Sequence, residues 1–405
     1  MTYIKSVNSN FSLYNIMIGF FVWFAIQSLV ANYSVYYSYG LWMLTLFCTL
    51  ILVAMNSHAI SKNKKVGGIY LLSFGTAYAV STIFNGCLPN KTYFIELLFG
   101  YLFLILRRET QYKIVQGFIW AFSFLMLLGL IEYFFYYFFN VSNVIATPTR
   151  ELSHSSTPYS HLYFNLIERI SIFPRYQCIA NEPGLIGTLS GFLLFIVGRD
   201  KRMRIPLVII LLSGIFSFSL AFYFLALLFL ISGVVNLKKI IIVIISVFVL
   251  FSLAYSMFQD LILQRVMVDN LELIDNRSTA GFDFRFAQAW NEGKLWLGVG
   301  FNNLPTDVTM GATEGHEGGN AGAKKWIFEY GIISLIVLFV GFLRTYYRLR
   351  GGKLYIFDIA FLVAFWLSFY QRQTVDTCYT LLAFCGVPVF EFFKEKEKMF
   401  KIETT

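Results

Sequence analysis

Twelve long apolar runs dominate this sequence and limit what the chain can fold into. Each is close to the length of about 20 residues that an α-helix needs to cross the roughly 30 Å apolar core of a bilayer. The runs cover 12–31, 35–55, 67–84, 92–106, 114–139, 179–198, 205–218, 220–235, 240–258, 326–343, 355–371 and 375–393. Hydrophobic residues make up 57% of the chain and charged residues 14%, outside the usual range of soluble domains. We therefore predict an all-α, polytopic membrane protein with about twelve transmembrane helices.

The connections between these runs alternate in charge. Every second connection is short and basic, and together with Lys5 these segments hold most of the 32 lysine and arginine residues. They are "SKNKK" (61–65), "RRETQYK" (107–113), "GRDKRMR" (198–204), "LKK" (237–239), "RTYYRLRGGK" (344–353) and the tail "KEKEKMFK". The positive-inside rule then predicts that both termini are cytoplasmic. The net charge of +9 follows from this topology and does not indicate nucleic-acid binding.

Two connections are long, and the alternation of charge predicts that both are external. They cover 140–178 and 259–325, and they separate three helical blocks at 1–139, 179–258 and 326–405. Loops carry function more often than the elements that support them. We therefore expect the chemistry of the protein at the external face.

The first long connection ends in "FPRYQCIANEPGLIG", in which Arg175 precedes the next run and Glu182 lies in its first turn. A carboxylate inside a membrane is costly, and ionisable groups there usually have a function. Both residues are therefore candidates for the active site. The alternative is structural, with Glu182 capping the helix and Pro183 starting it.

The second long connection contains "FDFRFAQAWNEGKLW", whose spacing predicts an amphipathic helix over Phe284–Trp296. One face would carry Phe286, Ala289 and Trp290 at the membrane interface. Arg285 lies off that face and is a candidate for anion binding. The alternative is that this arginine only anchors the helix at the interface.

The same connection ends in the glycine-rich segment "TEGHEGGNAGAKKW" (313–326). Its "HEGGN" differs from the zinc motif H-E-x-x-H because Asn320 replaces the second histidine, and no metal site is predicted. His316 is a candidate general base, since an unperturbed imidazole has a pKa of about 6.5, whereas Asn320 could only orient a hydroxyl group. The alternative is that this segment is only a flexible linker with solvated charges.

Further basic residues of this connection are candidates for binding an anionic substrate: Arg265, Arg277, Lys324 and Lys325. Arginine suits a phosphate group because its planar fork pairs with two oxygens at once. The five cysteines have no metal-like spacing and predict no disulfide framework. No cofactor is expected.

The order of these motifs resembles the superfamily of O-antigen polymerases and O-antigen ligases. The similarity covers about 175–343 and rests on "R…NEPG", "R-x-x-x-x-W…GVGF" and a His/Asn loop before "WIFEYGIISL". It implies a GT-C-like, metal-independent membrane glycosyltransferase of the bacterial inner membrane that uses glycans on undecaprenyl diphosphate. A chain-length regulator protein is then an expected partner.

By this resemblance, Arg175 and Arg285 would neutralise the diphosphate leaving group and His316 would assist the acceptor. The family's histidine usually lies nine residues before the glutamate of "E-x-G", a position that Asn320 holds here. Either the loop carries four extra residues or the histidine role is absent. The family's frequent Ser-Arg pair is also absent, since "SFSLAFY" stands at 217–223, and this favours a polymerase over a ligase.

Two other classes are alternatives to an enzyme, namely a transporter or flippase, which shares the twelve-helix layout, and a non-catalytic chain-length or assembly factor. Carriers usually bind substrates near the middle of the membrane on broken helices. In this sequence the apolar runs carry few charges, and the polar candidates lie in the external connections. No internal repeat relates the two halves. We therefore expect an enzyme.

Overall fold

The computed structural model describes residues 11–62, 64–86, 91–139, 144–152, 155–168, 175–233, 280–300, 322–371 and 377–403. This part of the chain is mainly helical. Its longer helices are α1 (Phe11–Gln27), α2 (Tyr39–Met55), α3 (Lys65–Asn85), α4 (Lys91–Ile105), α5 (Arg108–Phe139), α6 (Pro183–Val197), α7 (Arg204–Phe216), α8 (Leu220–Ser232), α9 (Ala280–Asn291), α10 (Gly322–Leu349), α11 (Ile356–Gln371) and α12 (Cys378–Glu403).

Each predicted apolar run coincides with one of these helices, except 240–258, which lies outside the described residues. Among the described residues, three helices, α3, α5 and α10, are long and apolar enough to cross a membrane, and shorter apolar helices accompany them. Helices of both kinds expose large hydrophobic side chains, such as Phe47 on α2, Leu72 on α3 and Phe124 on α5. A wide apolar outer surface on a helical body is what a lipid environment requires.

The ends of the helices meet at two opposite ends of the bundle. At one end, which we call the basic end, Ile60 pairs with Leu106, and Arg108 donates a hydrogen bond to the carbonyl of Arg348 at 2.6 Å. Lys394 donates to the carbonyl of Arg199 at 3.0 Å, and Arg350 Nη2 donates to Glu395 in the same tail at 2.7 Å. These contacts join the basic segments 61–65, 107–113, 198–204 and 344–353 and the tail, so these predicted clusters share one end.

The other end, which we call the loop end, carries the described parts of both long connections. Val30 pairs with Ala180 there, Tyr176 N–H donates to the carbonyl of Phe216 at 3.0 Å, and Asn85 Nδ2 donates to the carbonyl of Leu297 at 3.3 Å. The helical blocks are therefore held together at the end where the sequence predicts the chemistry.

The sequence predicted that the first long connection is a loop. In the structure this connection also contains a small antiparallel sheet. Its strands are β1 (Thr149–Leu152), β2 (Ser155–His161) and β3 (Leu166–Glu168), in the order β1-β2-β3. Ala31, Tyr159 and Leu166 form a small buried cluster that fixes the sheet on the α1–α2 connection.

Helix α6 begins at Pro183, later than the run 179–198 predicts. The backbone of Glu182 is extended, with φ −153° and ψ 149°. This follows from the proline, because the residue before a proline is excluded from the helical region.

Candidate functional site

Helix α10 is interrupted near the loop end, in the segment "WIFEYGIISL". Gly331 has φ 87° and ψ 164°, a conformation that is essentially restricted to glycine. At this break, carbonyl groups of α10 accept hydrogen bonds from another segment instead of from the helix itself. The backbone N–H of Val299 donates to the carbonyl of Phe328 at 2.7 Å, and that of Gly300 donates to the carbonyl of Glu329 at 3.2 Å. The "GVG" segment of the second connection is thus built into the break.

Helix α9 packs on the first half of α10 beside this break. Phe282 and Ala289 of α9 are buried with Leu295 and Phe328, and Phe286 packs against them. The helix ends at Asn291 because Gly293 adopts a left-handed conformation, and a 3₁₀ turn follows at 294–296.

The predicted helix over Phe284–Trp296 is therefore partly wrong in its bounds. Phe286 and Ala289, which were predicted on a face at the membrane interface, pack against the protein instead, whereas Trp290 is 58% exposed. Residues 282, 286 and 289 recur at helical spacing and centre the packed stripe, so position 290 lies at its margin.

Two lysines of α10 that the sequence proposed for substrate binding have carboxylate partners. Lys324 Nζ lies 3.1 Å from Asp283 Oδ1, and this ion pair joins α9 to α10. Lys325 Nζ lies 3.8 Å from Glu329 Oε1, and the Glu329 side chain is fully buried. Arg285, half-buried on α9, lies two residues after Asp283. The structure thus brings Arg285, Lys324 and Lys325 onto one pair of helices next to the break.

Arg175 lies at a different place at the loop end, on the turn between α7 and α8. Its Nε donates to the carbonyl of Ser217 at 3.0 Å and its Nη2 to the carbonyl of Phe218 at 3.2 Å. Phe218 has a positive φ of 47°, so the turn is tight. A cation here also complements the partial negative charge at the C-terminus of α7. At least two of the five N–H donors of Arg175 therefore stabilise the fold.

Glu182 occupies the N-cap position of α6, directly before Pro183 at the first helical position. Its side chain makes no capping hydrogen bond to that helix. The proline therefore starts the helix, as the structural alternative predicted, but the carboxylate does not cap it. The neighbouring Asn181 accepts hydrogen bonds from Asn32 N–H at 3.3 Å and from the Tyr33 hydroxyl at 2.9 Å.

The other candidate residues, His316, Asn320, Arg265 and Arg277, lie outside the described residues. Within the described ranges, the structure contains no group of three or more metal-ligating side chains.

A buried histidine in β2 was not predicted from the sequence. His161 Nδ1 contacts the carbonyl of Leu162, and its Nε2 lies 2.8 Å from the Ser34 hydroxyl oxygen. Burial lowers the pKa of His161, so the ring is neutral at pH 7. This pair ties the small sheet to the α1–α2 connection. No local motif predicts it, because Ser34 and His161 are far apart in the chain.

A glutamate on α5 was also missed. Glu132 Oε1 accepts a hydrogen bond from Tyr163 N–H at 2.7 Å, and Oε2 accepts one from Phe164 N–H at 2.8 Å. Here the sequence did hold a signal, since Glu132 is a single carboxylate within the apolar run "LMLLGLIEYFFYYFF". Ionisable groups in such runs are rare and usually functional.

Comparison with known proteins assigns no family to this chain. No family model matches it, and no curated protein matches it.

Proposed function

We propose that this protein is a surface-polysaccharide polymerase that joins oligosaccharide repeat units carried on undecaprenyl diphosphate at the outer face of the inner membrane. The observation that supports this most directly is that Arg285 lies on the same pair of packed helices, α9 and α10, as Lys324 and Lys325 at the loop end. The basic segments lie at the opposite end of the bundle. By the positive-inside rule the loop end is then external, where a lipid-linked glycan would be presented.

The reaction requires charge stabilisation rather than a metal. The acceptor hydroxyl oxygen bonds to the anomeric carbon of the donor sugar, and the bond from that carbon to the diphosphate oxygen breaks. Negative charge develops on the departing undecaprenyl diphosphate, and arginine can stabilise it with paired hydrogen bonds. In this proposal Arg285 has that role, and Arg175 adds positive charge from the α7–α8 turn. His316 takes the proton of the acceptor hydroxyl.

A transporter is the second candidate, and the interruption of α10 at Gly331 favours it. Carriers use the free carbonyl groups of broken helices to bind their substrates. Here the carbonyls of Phe328 and Glu329 already accept backbone hydrogen bonds from Val299 and Gly300. The break therefore serves to dock the second connection, and we favour the enzyme.

We expect the Arg285→Ala variant to lose polymerisation by about 10²–10³-fold, the typical cost of removing one group that stabilises a developing oxyanion. Arg285→Lys should also be strongly impaired, since it keeps the charge but loses the fork. Each variant is expressed, at matched protein levels, in a host whose own copy of the gene has been deleted. The length and the amount of the polymer are then measured. Lys294→Ala is the control, because Lys294 is exposed and pairs only with the nearby Glu292 in the described part of the chain. Normal polymer with Arg285→Ala would exclude the leaving-group role.

Analysis of lipid-linked glycans in the deletion strain tests the polymerase against the ligase. Loss of a polymerase should leave single repeat units on the carrier, whereas loss of a ligase should leave long polymer on it. The absence of any change in lipid-linked glycan would argue against both enzymes.

Topology is tested with engineered cysteines in intact cells. We expect a membrane-impermeant thiol reagent to label Glu168→Cys in β3 and not Lys64→Cys at the basic end, both positions being exposed. The native chain, with its five cysteines, gives the background labelling. The opposite labelling pattern would reverse the orientation and remove the external active site.

A further inference from the structure

Two exposed tyrosine rings and one carboxylate meet at the loop end, where the α1–α2 connection touches the turn that follows β2. We call Tyr36, Tyr163 and Glu132 the tyrosine surface. Tyr36 is 42% exposed and Tyr163 is 50% exposed. Burial and the nearby Glu132 and Tyr163 raise the pKa of the Tyr36 hydroxyl, so this group is neutral at pH 7.

The Tyr36 ring and the Tyr163 backbone are both held in place by neighbouring residues. The Tyr36 ring packs edge-on against the buried His161 ring, with a centroid distance of 5.2 Å. His161 is in turn fixed by the Ser34 hydroxyl. Tyr163 is fixed through its backbone N–H, which donates to Glu132. Groups that are already ordered, such as the Tyr36 ring, lose little conformational entropy when a ligand binds.

Glu132 gives this aromatic surface a hydrogen-bond acceptor. Backbone N–H groups of Tyr163 and Phe164 occupy one position on each oxygen, and that of Asn165 adds a third. A carboxylate has about four lone-pair sites, so it can still accept from a ligand. Lys113 marks the basic end of α5, and 19 residues at 1.5 Å each place Glu132 about 28 Å away, near the opposite edge of a bilayer core.

The α1–α2 connection, which carries Tyr36, also contacts the chain at the start of α6. Asn32 N–H and the Tyr33 hydroxyl, both in the α1–α2 connection, donate to Asn181. Asn181 directly precedes Glu182 at the start of α6. A chain-like ligand bound near Glu182 and Arg175 could therefore extend over this connection.

We infer that Tyr36, Tyr163 and Glu132 form a glycan-binding subsite that holds one sugar chain while its end reacts. Sugars present apolar C–H faces to aromatic rings, and their hydroxyl groups donate to carboxylates. This inference rests on the proposed function. An anionic lipid headgroup, which exposed tyrosines at a membrane edge could also contact, is the alternative ligand, and binding to anionic vesicles distinguishes it from a glycan.

The test uses the full-length protein in lipid nanodiscs. The probe is the oligosaccharide released from the surface polysaccharide of the host, and its affinity is measured by saturation-transfer NMR. We expect Tyr36→Ala and Tyr163→Ala to bind about two- to tenfold more weakly, the range for one lost aromatic contact. Tyr36→Phe and Tyr163→Phe should bind as the native chain does, because the ring faces remain. The two alanine variants should also raise KM for the lipid-linked substrate with little change in kcat.

Tyr370→Ala is the matched control, since Tyr370 is 48% exposed near the loop-end terminus of α11. It should bind the oligosaccharide like the native chain. Equal losses in all three alanine variants, or no loss in any, would overturn the subsite. Reduced binding to anionic vesicles alone would instead assign these rings to lipid.

The outcome can be separated from that of the proposed function. Arg285→Ala should stop polymerisation and keep oligosaccharide binding. Tyrosine-dependent binding by a protein that does not polymerise would retain the subsite and reject the polymerase. If the protein polymerises but its oligosaccharide binding depends on neither tyrosine, the polymerase is retained and the subsite is rejected.

Discussion

Replacement of Gly331 by alanine is expected to destabilise the protein strongly and to abolish its activity. An alanine Cβ at this position would lie 2.5 Å from the carbonyl oxygen of Trp296 and 2.8 Å from the backbone nitrogen of Gly298. Both are backbone atoms of the inserted segment and cannot move aside alone. The conformation itself costs a residue with a side chain about 1–3 kcal/mol before any clash is counted.

The effect should reach the proposed active site because the same segment connects α9 to the break. Val299 and Gly300 would lose their hydrogen bonds to α10 if the segment were displaced. Helix α9, which carries Arg285, packs against Leu295 and Phe328 at this junction. Activity should therefore fall further than the loss of folded protein explains.

Gly293→Ala is the matched control. Gly293 also has a positive φ, 70°, but an added Cβ there meets no atom within 4 Å. It should show only the cost of about 1–2 kcal/mol for a left-handed residue. The measurement is the Tm of the purified protein in detergent, together with polymer formation. Equal Tm values for the two variants would mean that the close approach at Gly331 contributes nothing.

The helical body could be predicted from the sequence because it depends on local properties. The lengths of the apolar runs predict where the helices lie. The charges between the runs predict which helix ends lie together, as the hydrogen bond from Arg108 to the carbonyl of Arg348 shows. The turn at Ser217–Ser219 was also predicted correctly as a division between two helices.

The features missed by the sequence analysis depend on contacts between distant segments. Gly331 within an apolar run reads as an ordinary tolerated glycine, and its break is stabilised by Val299 and Gly300 from another segment. Arg175 reads as a free cation, yet its partners lie more than 40 residues later in the chain. Periodicity and composition contain no information about such pairs.

Loss of a buried ion pair at the basic end is also expected to destabilise the protein strongly. Arg350 Nε lies 3.3 Å from Asp358 Oδ2, and the two side chains are only 2% and 1% exposed. The Tyr346 hydroxyl donates to Asp358 at 2.7 Å, and Tyr355 N–H donates at 2.9 Å. Arg350 Nη2 also donates to Glu395 at 2.7 Å. The network thus ties α10, α11 and α12 together.

Removal of one member of this pair leaves a buried charge, which costs far more than an exposed pair contributes. We expect Arg350→Ala to destabilise the protein by about 3–5 kcal/mol. Glu395→Gln should cost about 0–1 kcal/mol, since Glu395 is 37% exposed at the rim of the network. Arg348→Ala should be nearly neutral, because Arg348 is exposed and its contact with Arg108 uses only its backbone carbonyl.

The double variant Arg350→Met with Asp358→Asn separates the buried charge from the loss of packing. It removes both charges and keeps most of the volume, so it should be more stable than Arg350→Met alone and than Asp358→Asn alone. The measurement is the Tm of each purified variant in the same detergent, compared as a double-mutant cycle. Polymer formation should follow the amount of folded protein, because the network lies at the end opposite to Arg285. If Arg350→Ala has the same Tm as Arg348→Ala, the ion pair does not hold the three helices together, and packing of Tyr346 and its neighbours must do so instead.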